Sequence, residues 1–293
     1  MEVPDALAPI VRIDEPLAPH TWFRLGGAAR FLARPRTIEQ LPALVRWAKQ
    51  ESMPIRILGG GSNVLVRDEG VDGLVIHLES PALSDVQING RRIEAGAAVP
   101  LTALISRAAR AGLAGLEILT GIPGTVGGAV RGNAGGRQGV IGPLARRVVV
   151  VDSTAEIQAR EHDELSFSYR SSNLDEPVIV SVEFELEEED PDSVVRRMRK
   201  IWIVKKERQP YGYQSCGCIF RNPTPEISAA YLIDQAGMQG VRIGGAEVSD
   251  RHPNFIVAHP GATSADVIQL IDHVRGEVTS RTGYQLEVQI PIW

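Results

Sequence analysis

The sequence predicts an α+β protein with mixed sheets, on three observations. Short apolar runs with strand spacing alternate with longer segments of helical spacing along the 293 residues. Glycine-rich loops follow or join these runs, at 59–63 and at 121–136. The chain is also long enough for two or three lobes with buried cores, because domains commonly have roughly 100 to 200 residues.

Composition and charge limit the classes of function. The chain is 43% hydrophobic and 23% charged, which is typical of a globular protein, and its net charge of -5 argues against a nucleic-acid partner. No apolar segment approaches the ~20 residues of a membrane span, and no signal-peptide pattern is visible, so we expect no membrane partner and a cytoplasmic location. Cys216 and Cys218 are too few for a disulfide framework or a zinc site, and we expect no metal.

The elements predicted before residue 112 lie on both sides of the first glycine-rich loop in the sequence. Residues 1–18 are rich in proline and weakly patterned, which indicates an N-terminal arm. After the arm we predict, in order, a strand at 29–32, a helix at 38–50 with Thr37 as its N-cap, strands at 55–58, 74–78 and 86–94, and a helix from Pro100 to 111 that ends at Gly112.

The elements predicted after residue 112 finish one lobe and build another. They are strands at 148–152, 156–159 and 178–186, a basic helix that starts at Asp190-Pro191 and ends before Gln209-Pro210, a helix at 227–236, a strand at 255–258, a helix at 265–281 and a strand at 286–292. The basic helix carries apolar residues at helical spacing, so its charges indicate a solvated face and not a polyanion site.

Gly59-Gly60-Gly61-Ser62-Asn63 is the most informative stretch of the chain. Three consecutive glycines lack Cβ atoms, which lets backbone N–H groups converge on an anionic oxygen. An ordinary glycine-rich hairpin is the alternative. The second stretch, 121–136, favours the anion interpretation, because two such loops suggest a ligand with a long phosphate bridge. Neither loop has the ending of an ATP-binding P-loop or the pattern of a nicotinamide-type Rossmann turn.

Several motifs, taken together and in order, carry a resemblance to a known family. They lie at 21–27, 58–66, 115–136, 166–170, 209–210, 215–223, 232–237 and 248–255. In this order they resemble UDP-N-acetylenolpyruvoylglucosamine reductase, a family of FAD enzymes of peptidoglycan synthesis. No single motif among them is decisive, and the resemblance depends on their order over most of the chain.

The resemblance implies a two-lobed FAD-binding domain of the vanillyl-alcohol-oxidase (PCMH) type, followed by a C-terminal α+β substrate-binding domain. The predicted boundaries are an arm at 1–18, an FAD-binding domain at 19–190 with lobes at about 19–56 and 57–190, a bridging helix at 191–208 and a substrate-binding domain at 209–293. The short span from Arg170 to Gln209 is typical of the subtype without an extra substrate-covering tyrosine loop.

The resemblance also implies the ligands and the reaction. FAD is expected to bind non-covalently, NADPH to be the hydride donor, and a UDP-linked enolpyruvyl amino sugar to receive hydride from flavin N5 and become UDP-N-acetylmuramate. The implied FAD-binding residues are Leu58, Gly59, Gly60, Gly61, Ser62, Asn63, Val64, Gly121, Ile122, Pro123, Gly124, Thr125, Gly127, Gly128 and Ala129.

Arg170 and Cys218 stand at the positions that the family uses for reaction. Hydride addition leaves an enolate, and Arg170 would supply the fixed cation that stabilises it. The alternative for Arg170 is a surface charge at a strand end. Cys218 replaces the serine that usually protonates the enolate, and a thiol with an ordinary pKa near ~8.5 is mostly protonated at neutral pH. The alternative for Cys218 is that the residue only packs, as a small buried apolar side chain.

The expected catalytic glutamate is missing from the last strand. The family pattern is Leu-Glu-x-Glu-Val, whereas this chain has Leu286-Glu287-Val288-Gln289-Ile290, and an amide cannot transfer a proton at neutral pH. Glu287 lies on the same strand face as Gln289, so either residue is a candidate for the role. The open alternatives are another oxidoreductase or oxidase of this FAD fold, and a catalytically impaired flavin- or nucleotide-binding homologue.

Side chains near these positions are candidates for substrate binding. Tyr169 precedes Arg170, and Arg221 and Asn222 follow Cys218, where they would meet the diphosphate or the pyruvyl group. Arg242 and His252 are weaker candidates. A lone histidine beside a proline is more often a structural hydrogen-bonding group than a ligand.

Overall fold

The computed structural model describes residues 2–293 and divides the chain into two compact units. The first unit contains the residues up to Ile13, Phe31–Gly60 and Asp72–Val204, and the second contains Asp14–Arg30, Gly61–Val71 and Lys205–Trp293. Residue 1, within the predicted arm, lies outside the described residues. The predicted domain boundaries are continuous stretches and stay a prediction.

The described residues form α-helices, short 3-10 helices and strands. The α-helices are α1 (Gln40–Gln50), α2 (Leu101–Arg110), α3 (Val126–Arg131), α4 (Pro191–Arg208), α5 (Ala229–Gln235) and α6 (Ser264–Thr282). The 3-10 helices are Ala18–His20, Pro81–Leu83, Leu116–Leu119, Gly142–Leu144 and His162–Glu164.

The strands are β1 (Val11–Pro16), β2 (Ala28–Ala33), β3 (Ile55–Leu58), β4 (Val71–His77), β5 (Val86–Asn89), β6 (Arg92–Gly96), β7 (Leu113–Ala114), β8 (Gly135–Gly136), β9 (Gly139–Val140), β10 (Ala145–Val151), β11 (Ile157–Glu161), β12 (Phe167–Ser168), β13 (Ser171–Ser172), β14 (Val178–Glu185), β15 (Glu187–Glu188), β16 (Arg242–Ile243), β17 (Ala246–Val248) and β18 (Ile256–Ala258).

A five-stranded sheet provides much of the first unit's core. Its order is β11-β10-β14-β6-β5, and its pairings are antiparallel. Alternate residues of the central strand β14, such as Val182 and Phe184, are fully buried. This alternation is what a sheet with one face on the core requires.

A four-stranded sheet of order β1-β2-β4-β3 positions the first glycine-rich loop. Strands β3 and β4 are parallel, with Leu58 opposite His77. Since the carboxyl ends of parallel strands meet at one edge of a sheet, the loop that follows Leu58 begins at that edge.

The N-terminal segment departs from the expected arm. Leu7, Ile10 and Val11 are at most 5% exposed and belong to the core of the first unit, and Val11–Pro16 is strand β1. Leu7, Ile10 and Val11 have the spacing of a single helical turn, but three apolar residues in a proline-rich stretch are too few to predict an element, which is why the sequence pattern did not predict the burial.

Two further elements differ from the prediction. The single strand expected at 86–94 is a hairpin of β5 and β6, with Asn89 opposite Arg92 and Gly90 in the left-handed region at φ +56°. The last strand, expected at 286–292, is present only as isolated bridges, between Phe220 and Val288 and between Leu65 and Ile292.

Helix α4 is almost entirely solvent-accessible. Val194 is its one buried residue, and the apolar side chains Trp202, Ile203 and Val204 are exposed. Across residues 2–293, no helix is long and apolar enough to cross a membrane.

Helix α6 is the longest element of the second unit, and its start carries a complete capping box. The Thr263 hydroxyl accepts a hydrogen bond from Asp266 N–H at 3.1 Å, and the Asp266 carboxylate accepts from Thr263 N–H at 3.0 Å. The same carboxylate accepts from Gly245 N–H at 3.0 Å. These hydrogen bonds lower the pKa of Asp266.

We therefore expect Asp266→Asn to destabilise the protein in a pH-dependent way. The change removes a charge at a helix N-terminus and should lower the free energy of unfolding by about 0.5 to 1 kcal/mol at neutral pH. A lowered folded-state pKa stabilises the protein above the unfolded value of about 4 and stops doing so as pH falls through the folded value. Urea unfolding of both proteins should show the difference shrinking with acidity. A pH-independent difference would contradict this assignment.

Candidate functional site

The two glycine-rich stretches meet in the first unit. A Cβ atom on Gly59 would lie 2.5 Å from Thr125 Oγ1, and a Cβ atom on Gly60 would lie 3.2 Å from Gly124 Cα. Real Cβ atoms do not approach other atoms at the first of these distances. Glycine is therefore required at 59 for the loops to touch, and the contact holds the two predicted cofactor-binding segments against each other.

The first loop keeps its backbone donors open. None of the N–H groups from Gly59 to Asn63, all within the described chain, donates a hydrogen bond to another protein group. Because backbone N–H groups are normally paired, an open row of them in a glycine loop fits a ligand with phosphate oxygens. The pyrophosphate of FAD provides such oxygens, so the loop fits the predicted cofactor.

Positive φ angles fix the shape of both stretches. Gly61, Gly121 and Gly124 have φ values of +64°, +80° and +106°, in the region that favours glycine. In the second unit, a Cβ atom on Gly61 would also overlap the carbonyl oxygen of His20, and Gly61 O accepts a hydrogen bond from Trp22 N–H at 2.9 Å. The 21–27 motif is thus attached to the end of the first loop.

The second glycine-rich stretch also holds the hairpin that carries Arg170. Asn133 is 3% exposed and has φ +40°. Its Nδ2 donates to Ser168 O at 2.8 Å, and its Oδ1 accepts from Gly142 N–H at 3.0 Å. One buried amide therefore links the stretch to strand β12.

Further contacts fix the same hairpin. The Ser172 hydroxyl donates to the carbonyl oxygen of Arg131 at 2.8 Å. The Arg131 guanidinium donates to Leu174 O at 2.7 Å and to Glu176 O at 2.6 Å. Burial lowers the pKa of Arg131, so these carbonyl partners compensate for a cation that has lost water. Strand β13 and the residues that follow it are consequently attached to the last residue of α3.

Arg170 is at the turn of this hairpin, in a strained backbone conformation. Its φ is +57°, which is uncommon for a residue with a side chain. Its Nε is buried and donates no hydrogen bond, and its guanidinium carbon lies 5.8 Å from the centroid of the Tyr169 ring. A buried N–H without an acceptor is costly unless a ligand supplies one, so the geometry suits an anionic ligand.

In the second unit, Cys218 precedes a segment that is bonded on both sides. Gln289 N–H donates to Ile219 O at 2.7 Å, and Arg221 N–H donates to Glu287 O at 2.9 Å. On the other side, Ile219 N–H donates to Asn254 O at 2.9 Å. The residues after Cys218 therefore lie between the chain terminus and the segment at 254.

The two cysteines differ in environment. Cys216 is fully buried, and this burial raises the pKa of its thiol well above the ordinary value. Cys218 is partly exposed, and neither thiol forms a disulfide. Solvent and ligands can therefore reach Cys218 more easily than Cys216.

Glu287 and Gln289 are both next to this segment but have different surroundings. The Glu287 side chain is 71% exposed, and its carboxylate is 3.4 Å from Arg221 Nε. Gln289 is only partly exposed and pairs through its backbone with Ile219. The exposed carboxylate of Glu287 therefore lies within ion-pair distance of a cation of the same unit, without a hydrogen bond to its Nε.

The predicted substrate-binding residues are Tyr169 in the first unit and Arg221 and Asn222 in the second. Tyr169 is half-exposed beside Arg170. Asn222 is exposed, and its Oδ1 accepts from Ala229 N–H at 3.0 Å at the start of α5. Arg221 is partly exposed, and its Nε is buried without a hydrogen bond, although Glu287 is nearby.

The two weaker candidates have structural partners. Arg242 forms an ion pair with Glu247 at 2.5 Å, and His259 Nε2 lies 2.6 Å from the same carboxylate. His252 Nδ1 accepts a hydrogen bond from Asn254 N–H at 3.2 Å, and burial lowers the pKa of His252. A neutral histidine that accepts from its own loop acts as a structural group.

Cavity size does not identify the site. The first unit has a cavity of about 530 Å³ that contains none of the predicted site residues and is lined by Pro9, Ile10, Arg12, Arg34, Pro35, Arg36, Glu79, Ser80 and Pro81. In the second unit, a cavity of about 140 Å³ is lined in part by Arg242, Glu247 and His259. Within residues 2–293, no cluster of His, Cys, Asp or Glu side chains is arranged to hold a metal ion.

Sequence reasoning assigned no role to two buried asparagines, Asn133 and Asn254. Asn133 follows Gly132, and a Gly-Asn pair in a turn is a local signal for a residue that tolerates positive φ. Asn254 gives no such signal, because its side-chain partner Phe220 is 34 residues away. Only the tertiary structure brings that pair together.

Comparison with known proteins identifies the two parts of the chain. Residues 29–159 match the FAD binding domain family, and residues 209–293 match the family described as UDP-N-acetylenolpyruvoylglucosamine reductase, C-terminal domain. The UDP-N-acetylenolpyruvoylglucosamine reductase of Rhodopirellula baltica is 38% identical over 290 residues, which are 99% of this chain and 95% of that protein.

Solved structures agree with this assignment. The crystal structure of UDP-N-acetylenolpyruvylglucosamine reductase (MurB) from Thermus caldophilus has a TM-score of 0.83 and 36% identity, and the match covers 97% of this chain and 99% of that one. Cholesterol oxidase from B. sterolicum, with a TM-score of 0.51 and 16% identity over 64% of this chain and 40% of that one, shares the fold alone.

The FAD cofactor and the fold class predicted from the sequence are confirmed by these matches. The resemblance of the motifs is confirmed as well, because the relatives cover nearly the whole chain at well over 30% identity. The chain is an FAD-binding oxidoreductase that belongs to the UDP-N-acetylenolpyruvoylglucosamine reductase family.

Proposed function

We propose that this protein uses NADPH and non-covalent FAD to reduce UDP-N-acetyl-3-O-(1-carboxyvinyl)-glucosamine to UDP-N-acetylmuramate, a step of peptidoglycan synthesis. One observation carries the proposal. The hairpin of Arg170 is hydrogen-bonded through Asn133 to the same glycine-rich stretch that contacts the first loop. The cation and the FAD-binding loops therefore belong to one connected piece of backbone.

The residues that would hold FAD are those of the two loops, Leu58–Val64 and Gly121–Ala129. Their support is the open N–H groups of the first loop and the close approach at Gly59. Bound FAD supplies hydride transfer, from NADPH to the alkene carbon of the enolpyruvyl group. The protein groups proposed below act on the charge and on the proton of that reaction.

Arg170 would stabilise the enolate that hydride addition produces. Its guanidinium has a buried Nε without an acceptor and can grip a carboxylate with two parallel hydrogen bonds. The hairpin on which Arg170 has its strained φ is fixed by the bonds from Asn133 Nδ2 to Ser168 O and from the Ser172 hydroxyl to Arg131 O. A cation held in place before the reaction stabilises developing charge without reorganisation.

Cys218 would protonate the enolate carbon. Its S–H proton passes to carbon, and the resulting thiolate regains a proton from solvent. The support is that Cys218 is partly exposed, whereas Cys216 is fully buried and has a raised pKa. A group that transfers a proton must be within hydrogen-bond reach of its substrate.

Arg221, Asn222 and Tyr169 would contact the substrate, at its diphosphate or its pyruvyl end. Glu287 and Gln289 remain two candidates for the glutamate role of the family. Glu287 has the carboxylate, but its nearest cation is Arg221. Gln289 has the expected position and can only donate or accept hydrogen bonds.

Gln289 favours a second candidate function, a flavin- or nucleotide-binding protein with little turnover. An oxidase of the same fold is a third candidate, and it would return electrons to oxygen. Comparing flavin reoxidation by oxygen with reoxidation by the enolpyruvyl nucleotide separates all three. Fast reoxidation by the nucleotide supports the reductase, whereas binding without reoxidation supports the second candidate.

We expect the protein to purify yellow and to bleach on anaerobic addition of NADPH. The enolpyruvyl nucleotide should then restore the flavin absorbance. Acid precipitation should release the flavin into the supernatant, because in the sequence no cysteine or histidine stands beside the two loops in a familiar flavin-linking motif. Colour that stays with the precipitate would disprove non-covalent binding, and a bleached spectrum that the nucleotide leaves unchanged would count against the reductase.

Substitutions of Cys218 should separate the two half-reactions. Cys218→Ala should slow flavin reoxidation by substrate on the order of 10² to 10⁴-fold, the range for a lost general acid. Cys218→Ser should keep substantial activity, because a hydroxyl can take the same role. Flavin reduction by NADPH should be nearly unchanged in both variants, and stopped-flow absorbance measures each step. Wild-type reoxidation in Cys218→Ala would refute the role of the thiol.

The C-terminal pair can be tested in the same way. If Glu287 supplies the carboxylate, Glu287→Gln should slow reoxidation and leave FAD bound, since it removes charge and keeps shape. If Gln289 suffices, Glu287→Gln should have no effect, and Gln289→Glu should hold or raise the rate. If Glu287→Gln leaves the reoxidation rate unchanged and Gln289→Glu lowers it, neither residue has the family's glutamate role.

A further inference from the structure

Asn254 makes an unusual set of contacts with the segment that follows Cys218. Its Nδ2 donates to Phe220 O at 2.8 Å, and its Oδ1 accepts from Phe220 N–H at 2.9 Å. Its backbone oxygen accepts from Ile219 N–H at 2.9 Å. Asn254 is 3% exposed, and residues 219 and 220 are at most 2% exposed. One residue thus pairs three backbone groups of two consecutive residues in a buried setting.

On the other side of Cys218, the nearest backbone pairing is at Gln214, whose carbonyl oxygen accepts a hydrogen bond from Ala258 N–H at 2.8 Å. Gly217 has φ +77°, and a Cβ atom placed on it would meet nothing within 4 Å. The chain therefore turns at a glycine immediately before Cys218 and is clamped immediately after it. The clamp therefore fixes the residue that directly follows Cys218, whereas the pairing at Gln214 is four residues away.

Only a primary amide can form both side-chain bonds of this clamp at neutral pH. It offers a donor and an acceptor in the geometry of a peptide group, whereas a carboxylate lacks the donor and alanine lacks both. Removal of the amide would leave the N–H and C=O of Phe220 buried without these partners, which is destabilising locally. The remaining support would be the backbone bond from Ile219 N–H to Asn254 O and the terminal segment, through Gln289 and Glu287.

We propose that Asn254 is a positioning residue for the thiol of Cys218. This inference depends on the proposed function, in which Cys218 gives a proton to the enolate. Asn254 itself touches no reacting atom. It fixes the backbone of residues 219–220 and thereby the place from which the Cys218 thiol acts. A displacement of about 1 Å in a reacting group can cost on the order of 10²-fold in rate.

A double-mutant cycle tests the proposal on the FAD-loaded protein. Asn254→Ala should slow flavin reoxidation by the enolpyruvyl nucleotide about 10 to 100-fold, and flavin reduction by NADPH should change less than about twofold. In the Cys218→Ala background, Asn254→Ala should have little further effect, less than about threefold, because the group that it positions is gone.

Asn254→Asp adds a second measurement, the pH dependence of flavin reoxidation, which a general loss of stability would not change in the expected direction. When protonated, its carboxyl group offers a donor and an acceptor as the amide does. The deficit in reoxidation should therefore decrease as pH falls, relative to wild type at the same pH. This variant also keeps the size of the side chain, which makes the test possible if Asn254→Ala fails to fold.

Thr263→Ala is a matched control. It removes the cap of α6 in the same unit, so it should lower the melting temperature and leave both half-reactions unchanged. If Asn254→Ala slows reoxidation equally in the presence and absence of the Cys218 thiol, the positioning role is wrong while the proposed function stands. If Cys218→Ala reoxidises its flavin as fast as wild type, the positioning role and the acid role of Cys218 are both wrong, while the reductase activity stands.

Discussion

The close approach of two glycine-rich loops is the constraint on which the first unit's site depends. At Gly59 there is no room for a side chain beside Thr125, so the contact requires glycine. The contact leaves backbone N–H groups of the first loop without protein partners, which a folded protein tolerates where a ligand completes them. The second stretch continues into Asn133, and through it the hairpin of Arg170 is connected to the same backbone.

The two units fix the backbone near a proposed reacting residue in the same way. In each, a buried asparagine pairs with backbone groups close to a proposed reacting residue: Asn133 near Arg170 and Asn254 near Cys218. An amide is suited to this because it satisfies a donor and an acceptor at once, and it carries no charge that would need a partner. The backbone, and not a salt bridge, thus fixes the proposed cation and the proposed acid.

The regular parts of the fold could be predicted from local pattern, and the irregular parts could not. Helix α2 was predicted within one residue at each end, because Pro100 and Gly112 mark its limits. Strand β1 was missed, because its burial depends on partners distant in sequence. In the site, glycine runs predicted the loops, and the resemblance supplied Arg170 and Cys218. Asn254 stayed unassigned, since the importance of a buried amide depends on what it faces.

The core of the second unit gathers residues from distant parts of the chain. Phe23 and Leu65, both fully buried, pack in the same cluster as Ile233, Leu270 and Val278. A fragment that begins at residue 209 would contain the whole C-terminal family match and still lack two of its core side chains. The C-terminal part is therefore not an interchangeable module. Recombination that exchanged it between relatives would have to carry the segments around Phe23 and Leu65 along with it.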